Sequence, residues 1–449
     1  MKLTIGQIKI FEEEVVEFKM NLKSISNFKN LIEENLRLRK EISLLTKLLF
    51  AGAILLKASD IHIEKEKELT KVRMRIDGIL QDIFLFEFDT YKNLLSRLKL
   101  LSGIKLNIIN KPQDGRFTVL WNKLAIEIRV STLPSEYGES VVMRLLNPES
   151  LIEIEQLGVR EDIFKILKKE IQQPNGMIIV TGPTGSGKTT TLYAILKRIA
   201  SSEIKVITLE DPIEYHLEGI SQTQVNPKRG YNFANGLRAI VRQDPDVILV
   251  GEIRDLETAN IALQAALTGH LVLTTLHTND AAGVVARLQA LGEKPINIAP
   301  ALNIAIGQRL LRKVCQNCVQ LQLITKEEFM LFRKELYNLP FQVKLPSEWE
   351  IIRKKIEIKK DFIIPEQLKI PQPIGCEICN QTGYKGRGGI YEFFLVDSEM
   401  ENLILTSPSI STLRKKAEEK GMIYMRQDGL IKVLEGQTTL AEVDRVTKK

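Results

Sequence analysis

The chain has 449 residues, 44% of them hydrophobic and 27% charged, with a net charge of +7. That composition excludes a disordered or low-complexity chain and leaves room for two to four domains with sizeable cores. The strongest apolar stretch, residues 48–56, is too short to cross a bilayer, and no cleavable leader is visible, so a cytoplasmic location is expected. The positive balance permits contact with nucleic acid or an anionic membrane face, yet acidic residues are interspersed and no long Lys/Arg block exists.

Residues 1–47 are rich in Glu, Lys and Leu. The apolar spacing of Leu31, Ile32, Leu36, Leu38, Ile42 and Leu45 predicts a helix over 28–49. Strand-like runs follow at 60–64, 71–76 and 125–131, with a helix near 91–101 and turn signals at Asp77-Gly78 and Asp114-Gly115. They predict an α/β domain over 48–148, closed by a linker at Pro148.

From residue 176, apolar strands at 177–181, 204–209, 247–250 and 271–275 alternate with helical patterns, the pattern of a parallel sheet between helices. The first strand runs into Gly182-Pro183-Thr184-Gly185-Ser186-Gly187-Lys188-Thr189-Thr190 and then a helix, which reads as a phosphate-binding P-loop. Its glycines let backbone N–H groups approach phosphates, and the helix adds the positive end of its dipole. Lys188 suits the β- and γ-phosphates, and the Thr189 hydroxyl suits Mg²⁺.

The next strand ends in Glu210-Asp211-Pro212, the third in Gly251-Glu252-Ile253-Arg254, and the fourth lies between His270 and His277. Strand ends are where an α/β nucleotide site collects its side chains. Arg238 and Arg242 are spaced to share one helix face. Further on, Cys315-x-x-Cys318 and Cys376-x-x-Cys379 supply four thiolates, the set for a closed tetrahedral Zn²⁺ site; a redox motif or buried free thiols are the alternatives. Between the pairs lies a Lys/Ile-rich insertion with a short helix starting at Thr325, where Glu328 completes a capping box. Residues 398–449 read as helical.

The boxes VITLEDPIEY, DVILVGEIRD and GHLVLTTLHTND, together with KASDIHIE, RMRIDG, QDGR and IRVSTLPSEYGESVVMRLL upstream and GCEICNQTGYKGRGGIYE downstream, resemble the secretion ATPase superfamily. The similarity is to the motors of type II secretion and type IV pilus assembly, over about residues 45–449. It implies an α/β chain: a RecA-like P-loop ATPase domain with a parallel-rich central sheet over 151–314, preceded by a small PAS-like α/β domain and the helical segment 1–47. A tetracysteine zinc subdomain over 315–385 and a helical part over 386–449 complete the expected plan.

Residue by residue, the resemblance implies that Glu252 holds a Mg²⁺-bound water or polarises the attacking water, with Gly251 replacing the usual metal-binding Asp. Glu210 is the rival general base. His270 and His277 are expected on the γ-phosphate side, with Asp211, Arg238, Arg242 and Arg254 grouped with the nucleotide. Arg129 and Arg144 match the arginine fingers. The resemblance further implies ATP, Mg²⁺ and Zn²⁺, a homo-oligomer (a hexamer), and an inner-membrane platform protein that brings the chain to the inner face of that membrane. The tetracysteine favours assembly over retraction. A nucleic-acid translocase on a similar core is the alternative, but direct nucleic-acid binding is not expected, because no basic groove interleaved with aromatics is visible.

Overall fold

The computed structural model describes residues 6–38, 41–337, 339–340, 343–347, 349–350 and 368–448. Two units divide the chain: Met1–Ser150 with Cys315–Cys318 and Ile374–Lys385, and Leu151–Val314 with Val319–Pro373 and Gly386–Lys449. Among the described residues, no helix is long and apolar enough to cross a membrane.

The first unit is built on β1 (Gln7–Ile10), β2 (Ala58–Lys65), β3 (Thr70–Ile76), β4 (Ile79–Phe86), β5 (Gln113–Trp121), β6 (Leu124–Ser135) and β7 (Gly138–Leu146). They form one sheet in the order β1-β5-β6-β7-β2-β3-β4, antiparallel except for the β1–β5 pair. Period-two alternation sorts its faces. Val72, Met74, Phe117, Ile128 and Met143 are buried in the core with the helices Ile25–Arg37, Ile42–Leu55 and Phe88–Leu101. The intervening residues put arginines on the opposite face. In register across it lie Arg116, Arg129, Arg144, Asp60 and Arg75.

The amino-terminal stretch differs from the single helix predicted over 28–49. The structure has a strand at Gln7–Ile10 and a helix at Glu12–Asn21, and it divides the predicted span between two helices, Ile25–Arg37 and Ile42–Leu55; residues 1–5 and 39–40 lie outside the described set. One straight helix of that length would run roughly 33 Å and carry one end off the core. Instead Phe28 and Ile32 on the first helix and Leu45, Leu49 and Phe50 on the second are all buried together. The packing is close enough that a Cβ on Gly52 would meet the Phe28 ring at 2.4 Å.

In the second unit, β8 (Gly176–Thr181), β9 (Val206–Glu210), β10 (Ser221–Gln224), β11 (Val247–Val250), β12 (Leu271–Leu276) and β13 (Leu302–Val314) alternate with helices. A short antiparallel pair, β14 (Gln320–Leu323) and β15 (Lys369–Gln372), follows, and then β16 (Tyr384–Leu395). The sheet order is β10-β9-β11-β12-β8-β13-β16, parallel from β10 to β13. Strands β8, β11 and β12 are buried along their whole length, which explains why they read as unbroken apolar runs. The predicted strands over 177–275 are therefore present in the expected order.

The helix Lys326–Leu336 starts with the predicted box: Thr325 Oγ1 accepts from Glu328 N at 3.2 Å, and Glu328 Oε2 accepts from Thr325 N at 2.9 Å. The Lys/Ile-rich run over 351–367 lies outside the described residues. Four helices, Ser398–Leu405, Ile410–Glu419, Met425–Leu434 and Leu440–Thr447, complete the unit.

Candidate nucleotide site and metal centre

Strand β8 is central, between β12 and β13, and delivers the chain into the loop 182–187 at its carboxyl end. Gly187 caps the helix Lys188–Ile199 with φ +87°, and Gly182 sits at φ +153°. A Cβ at Gly182 would lie 2.5 Å from the Gln308 carbonyl oxygen on β13; one at Gly187 would lie 2.9 Å from Gln308 Nε2. The neighbouring strand thus imposes the glycines that let backbone N–H groups line the cradle. Ser186 Oγ is buried there without a hydrogen-bond partner, a donor that a phosphate oxygen fits.

Lys188 Nζ lies over the loop, donating to the Gly182 and Pro183 carbonyls at 2.9 and 3.1 Å. Burial lowers its ammonium pKa, and the Glu252 carboxylate opposes that. Lys188, Thr189, Glu210, Asp211, Glu252, Thr275 and His277 line one cleft. These oxygen donors beside a P-loop hydroxyl are the chemistry a hard dication takes.

The two carboxylates are held differently. Glu252 pairs with Arg254 and lies 3.4 Å from His277 Nε2. Burial would raise its carboxyl, but the Arg254 guanidinium, with His277, carries it below the ordinary glutamate range. Glu210 is almost completely buried: Oε1 accepts from Thr208 Oγ1 at 2.6 Å and Gln222 Nε2 at 3.2 Å, and Oε2 accepts from the Tyr193 hydroxyl. Gly251 brings β11 against β9: its N–H donates to Leu209 O at 2.8 Å, and a Cβ there would already touch Glu210 Cα at 3.4 Å. The position where an Asp was missed is crowded by the other strand-end acid.

His277 is fixed through its neighbour, since Thr278 N donates to Thr181 Oγ1 at 2.9 Å and ties the end of β12 to the end of β8. His270 does not join it, which corrects its expected place beside the phosphates. It precedes β12, where its carbonyl accepts from Gly176 N at the start of β8. A strand of this length puts it roughly 20 Å from the cradle. Its ring Nδ1 lies 3.0 Å from Ala265 O, a structural hydrogen bond.

Arg238 is likewise directed elsewhere: it pairs with Glu257 at 2.6 Å and lines a separate groove with Leu256 and Glu293. Arg242 caps the end of the same helix, Phe233–Val241. Neither lines the nucleotide cleft. In the first unit, Arg144 Nε bonds Asp60 Oδ1 at 3.1 Å and Arg129 Nε lies 3.3 Å from Glu127 Oε1. Tyr193, Gln222 and Gln308 went unnoticed because they sit in no quoted motif, and Thr208, inside the box VITLEDPIEY, was given no role; their importance is visible only through the atoms they touch.

The four cysteines converge in the first unit, all ligand sulfurs within 4.8 Å of one another. Cys315–Cys376, Cys318–Cys379 and Cys376–Cys379 Sγ separations are 3.9, 3.8 and 3.7 Å. Tetrahedral metal–sulfur bonds of about 2.3 Å put ligands about 3.8 Å apart. Backbone N–H groups of Cys376 and Gly383 each donate to Cys379 Sγ at 3.2 Å, and the Asn317 amide, 3.4 Å from Cys376 Sγ, pulls that thiol's pKa down. Such donors favour thiolates, so the set fits a metal. The centre also has a structural neighbour: Ile25 N, in the first turn of Ile25–Arg37, donates to Asn380 Oδ1 at 2.7 Å.

A central parallel sheet, a P-loop on its middle strand and strand-end acids facing the loop lysine define a P-loop ATPase. The family model for the type II/IV secretion system protein matches residues 37–445, and the chain belongs to that family. Type II secretion system protein E of Dickeya dadantii (strain 3937) is 47% identical over 400 residues, covering 88% of this chain and 74% of its own. Type IV pilus assembly ATPase PilB of Thermus thermophilus is 43% identical over 392 residues, covering 87% of this chain and 41% of its own. Among solved structures, the pilus retraction motor PilT with bound ADP shares 27% identity at a TM-score of 0.57, covering 89% of this chain and 96% of its own. The ATPase DotB of Legionella pneumophila, at 20% identity, shares the fold with a TM-score of 0.62 over 90% of this chain and 95% of its own.

Proposed function

We propose that this chain is an ATP-hydrolysing motor that powers assembly of a type IV pilus or a type II secretion pseudopilus. One observation carries the reading: Lys188 and Thr189 share a cleft with two strand-end carboxylates, Glu210 and Glu252. Water attacks the γ-phosphate, and little covalent chemistry is asked of the protein beyond positioning and charge. The loop amides, Lys188 and Ser186 hold the phosphates. Mg²⁺, held by Thr189 with Glu252 nearby, supplies charge neutralisation when bound. Glu210 orients the attacking water: a carboxylate offers about four acceptor sites, and three are taken by Tyr193, Thr208 and Gln222. His277 senses the terminal phosphate from the end of β12.

Arg129 and Arg144 act as arginine fingers, so that hydrolysis is coupled to movement of one unit against another. Zinc holds the four cysteines. The working form is a homo-oligomer, a hexamer, at the cytoplasmic face of the inner membrane, where a platform protein docks it. The names of the relatives support the motor reading and lend nothing to nucleic-acid translocation.

The test is Mg²⁺-dependent release of phosphate from ATP by the purified chain. Lys188→Ala is expected to abolish it, with the variant still folded. Stimulation by DNA or RNA with a steep salt dependence would instead point to a translocase.

A further inference from the structure

Tyr193 is a buried phenol that no motif explains. It lies in the second turn of the helix Lys188–Ile199, fully buried, with its ring edge-on to Tyr215 at 6.3 Å. Its hydroxyl donates to Glu210 Oε2, and both residues line the nucleotide cleft. On the other oxygen, Gln222 reaches Glu210 while also donating to Tyr215 O at 3.0 Å and accepting from Leu217 N at 2.8 Å. The loop after Glu210 is therefore knitted to the same carboxylate. Burial, reinforced by the Glu210 charge, pushes the phenol's pKa upward, so it remains a donor at every working pH.

A buried carboxylate without donors would take up a proton or rotate. Thr208 and Gln222 hold only one of its oxygens. Among the described residues the tyrosine alone restrains the second, and it comes from the helix whose first residues are Lys188 and Thr189. The orientation of Glu210 is thereby referenced to the element that grips the phosphates.

We infer that Tyr193 is a positioning residue for hydrolysis, holding Glu210 aimed through its hydroxyl. This rests on the assignment of Glu210 to the attacking water. Removing the hydroxyl leaves the ring packing in place, so ATP binding survives. What is lost is the restraint on the second oxygen of Glu210.

The experiment uses the full chain and compares Tyr193→Phe with Glu210→Gln. Tyr193→Phe is expected to lower kcat roughly tenfold or more, leave KM for ATP within about twofold, and cost little further activity when added to Glu210→Gln. Fluorinated tyrosine at the same position, which keeps the donor and nearly the same shape, is expected to retain most of the kcat that the Phe variant loses and serves if the Phe variant folds poorly. A wild-type kcat in Tyr193→Phe, or an equally large further loss when it is added to Glu210→Gln, overturns the inference. Wild-type activity in Glu210→Gln would overturn the underlying assignment instead.

Discussion

Arg129 on β6 and Arg144 on β7 stand directly opposite one another, two cations in neighbouring strands. Like charges so placed weaken a sheet by a few tenths of a kcal/mol to about 1 kcal/mol. Arg116 and Arg75 extend the row; Glu127 pairs with Arg116 and Arg129, and Asp60 with Arg144 and Arg75, so each of these cations already has an acid beside it. Arg129→Gln is expected to change the melting temperature little, since it trades a like-charge contact for a partly exposed ion pair, while kcat falls by roughly 10³. Steady-state kinetics and thermal melting on the same preparation check both halves. Unchanged kcat removes the finger assignment.

Gly182→Ala should fail for a backbone reason. The new methyl would meet the Gln308 carbonyl oxygen at 2.5 Å, at a φ of +153° that L side chains rarely adopt. We expect a loss of about 1–3 kcal/mol in stability and at least tenfold weaker nucleotide binding. Chemical denaturation and titration with a fluorescent ADP measure the two.

The cysteine centre predicts one zinc per chain in freshly reduced protein, lost in Cys376→Ser. Because Asn380 beside that centre accepts from Ile25 N, metal loss is expected to speed amide exchange at the start of the helix Ile25–Arg37. Metal analysis and hydrogen exchange provide the readings. Protein without stoichiometric metal, exchanging no faster after chelation, would contradict the assignment.

Lys99 and Glu139 form an ion pair of 2.5 Å with almost no solvent contact. The Lys99 ammonium also donates to Ile108 O, and the Tyr91 hydroxyl bridges the Glu139 backbone. Lys99→Met leaves a buried carboxylate alone, and about 3–5 kcal/mol of stability should go with it. Denaturant unfolding of the variant gives the value.

Acid should weaken the second unit through Glu442. Burial would raise this carboxyl, yet its hydrogen bonds to Arg445 and Arg312 hold it down at about 2. A depressed acid stabilises above its unfolded pKa, about 4.3, and that contribution disappears as pH falls toward 2. The Glu442→Gln variant is expected to be about 1–3 kcal/mol less stable than wild type at pH 7. The gap should close between about pH 4.5 and pH 2. A gap constant with pH would show that packing, not charge, is at work.

Apolar periodicity made the second sheet legible, because β8, β11 and β12 are buried on both faces and read as continuous hydrophobic runs. The cradle was legible for another reason: phosphate binding needs glycines and a lysine at fixed offsets. The strand at Gln7–Ile10 was missed because four residues carry too little pattern, and its pairing partner β5 lies a hundred residues away. His270 was misplaced because its role was carried over from the family's box; it precedes β12, at the amino end of the sheet, while an α/β site forms at the carboxyl ends. Tyr193 and Gln308 stayed hidden since each acts through one atom on a distant strand.

Gln308 shows that two glycines of a single motif answer to separate masters. At position 182 the obstacle is a main-chain oxygen, so no substitution on β13 can relax it. At position 187 it is a side-chain nitrogen, which also shares a hydrogen bond of 2.8 Å with Thr191 through the other end of the same amide. A redesign that trimmed residue 308 would ease the space at the second glycine only, leaving its left-handed backbone as the last barrier to replacement.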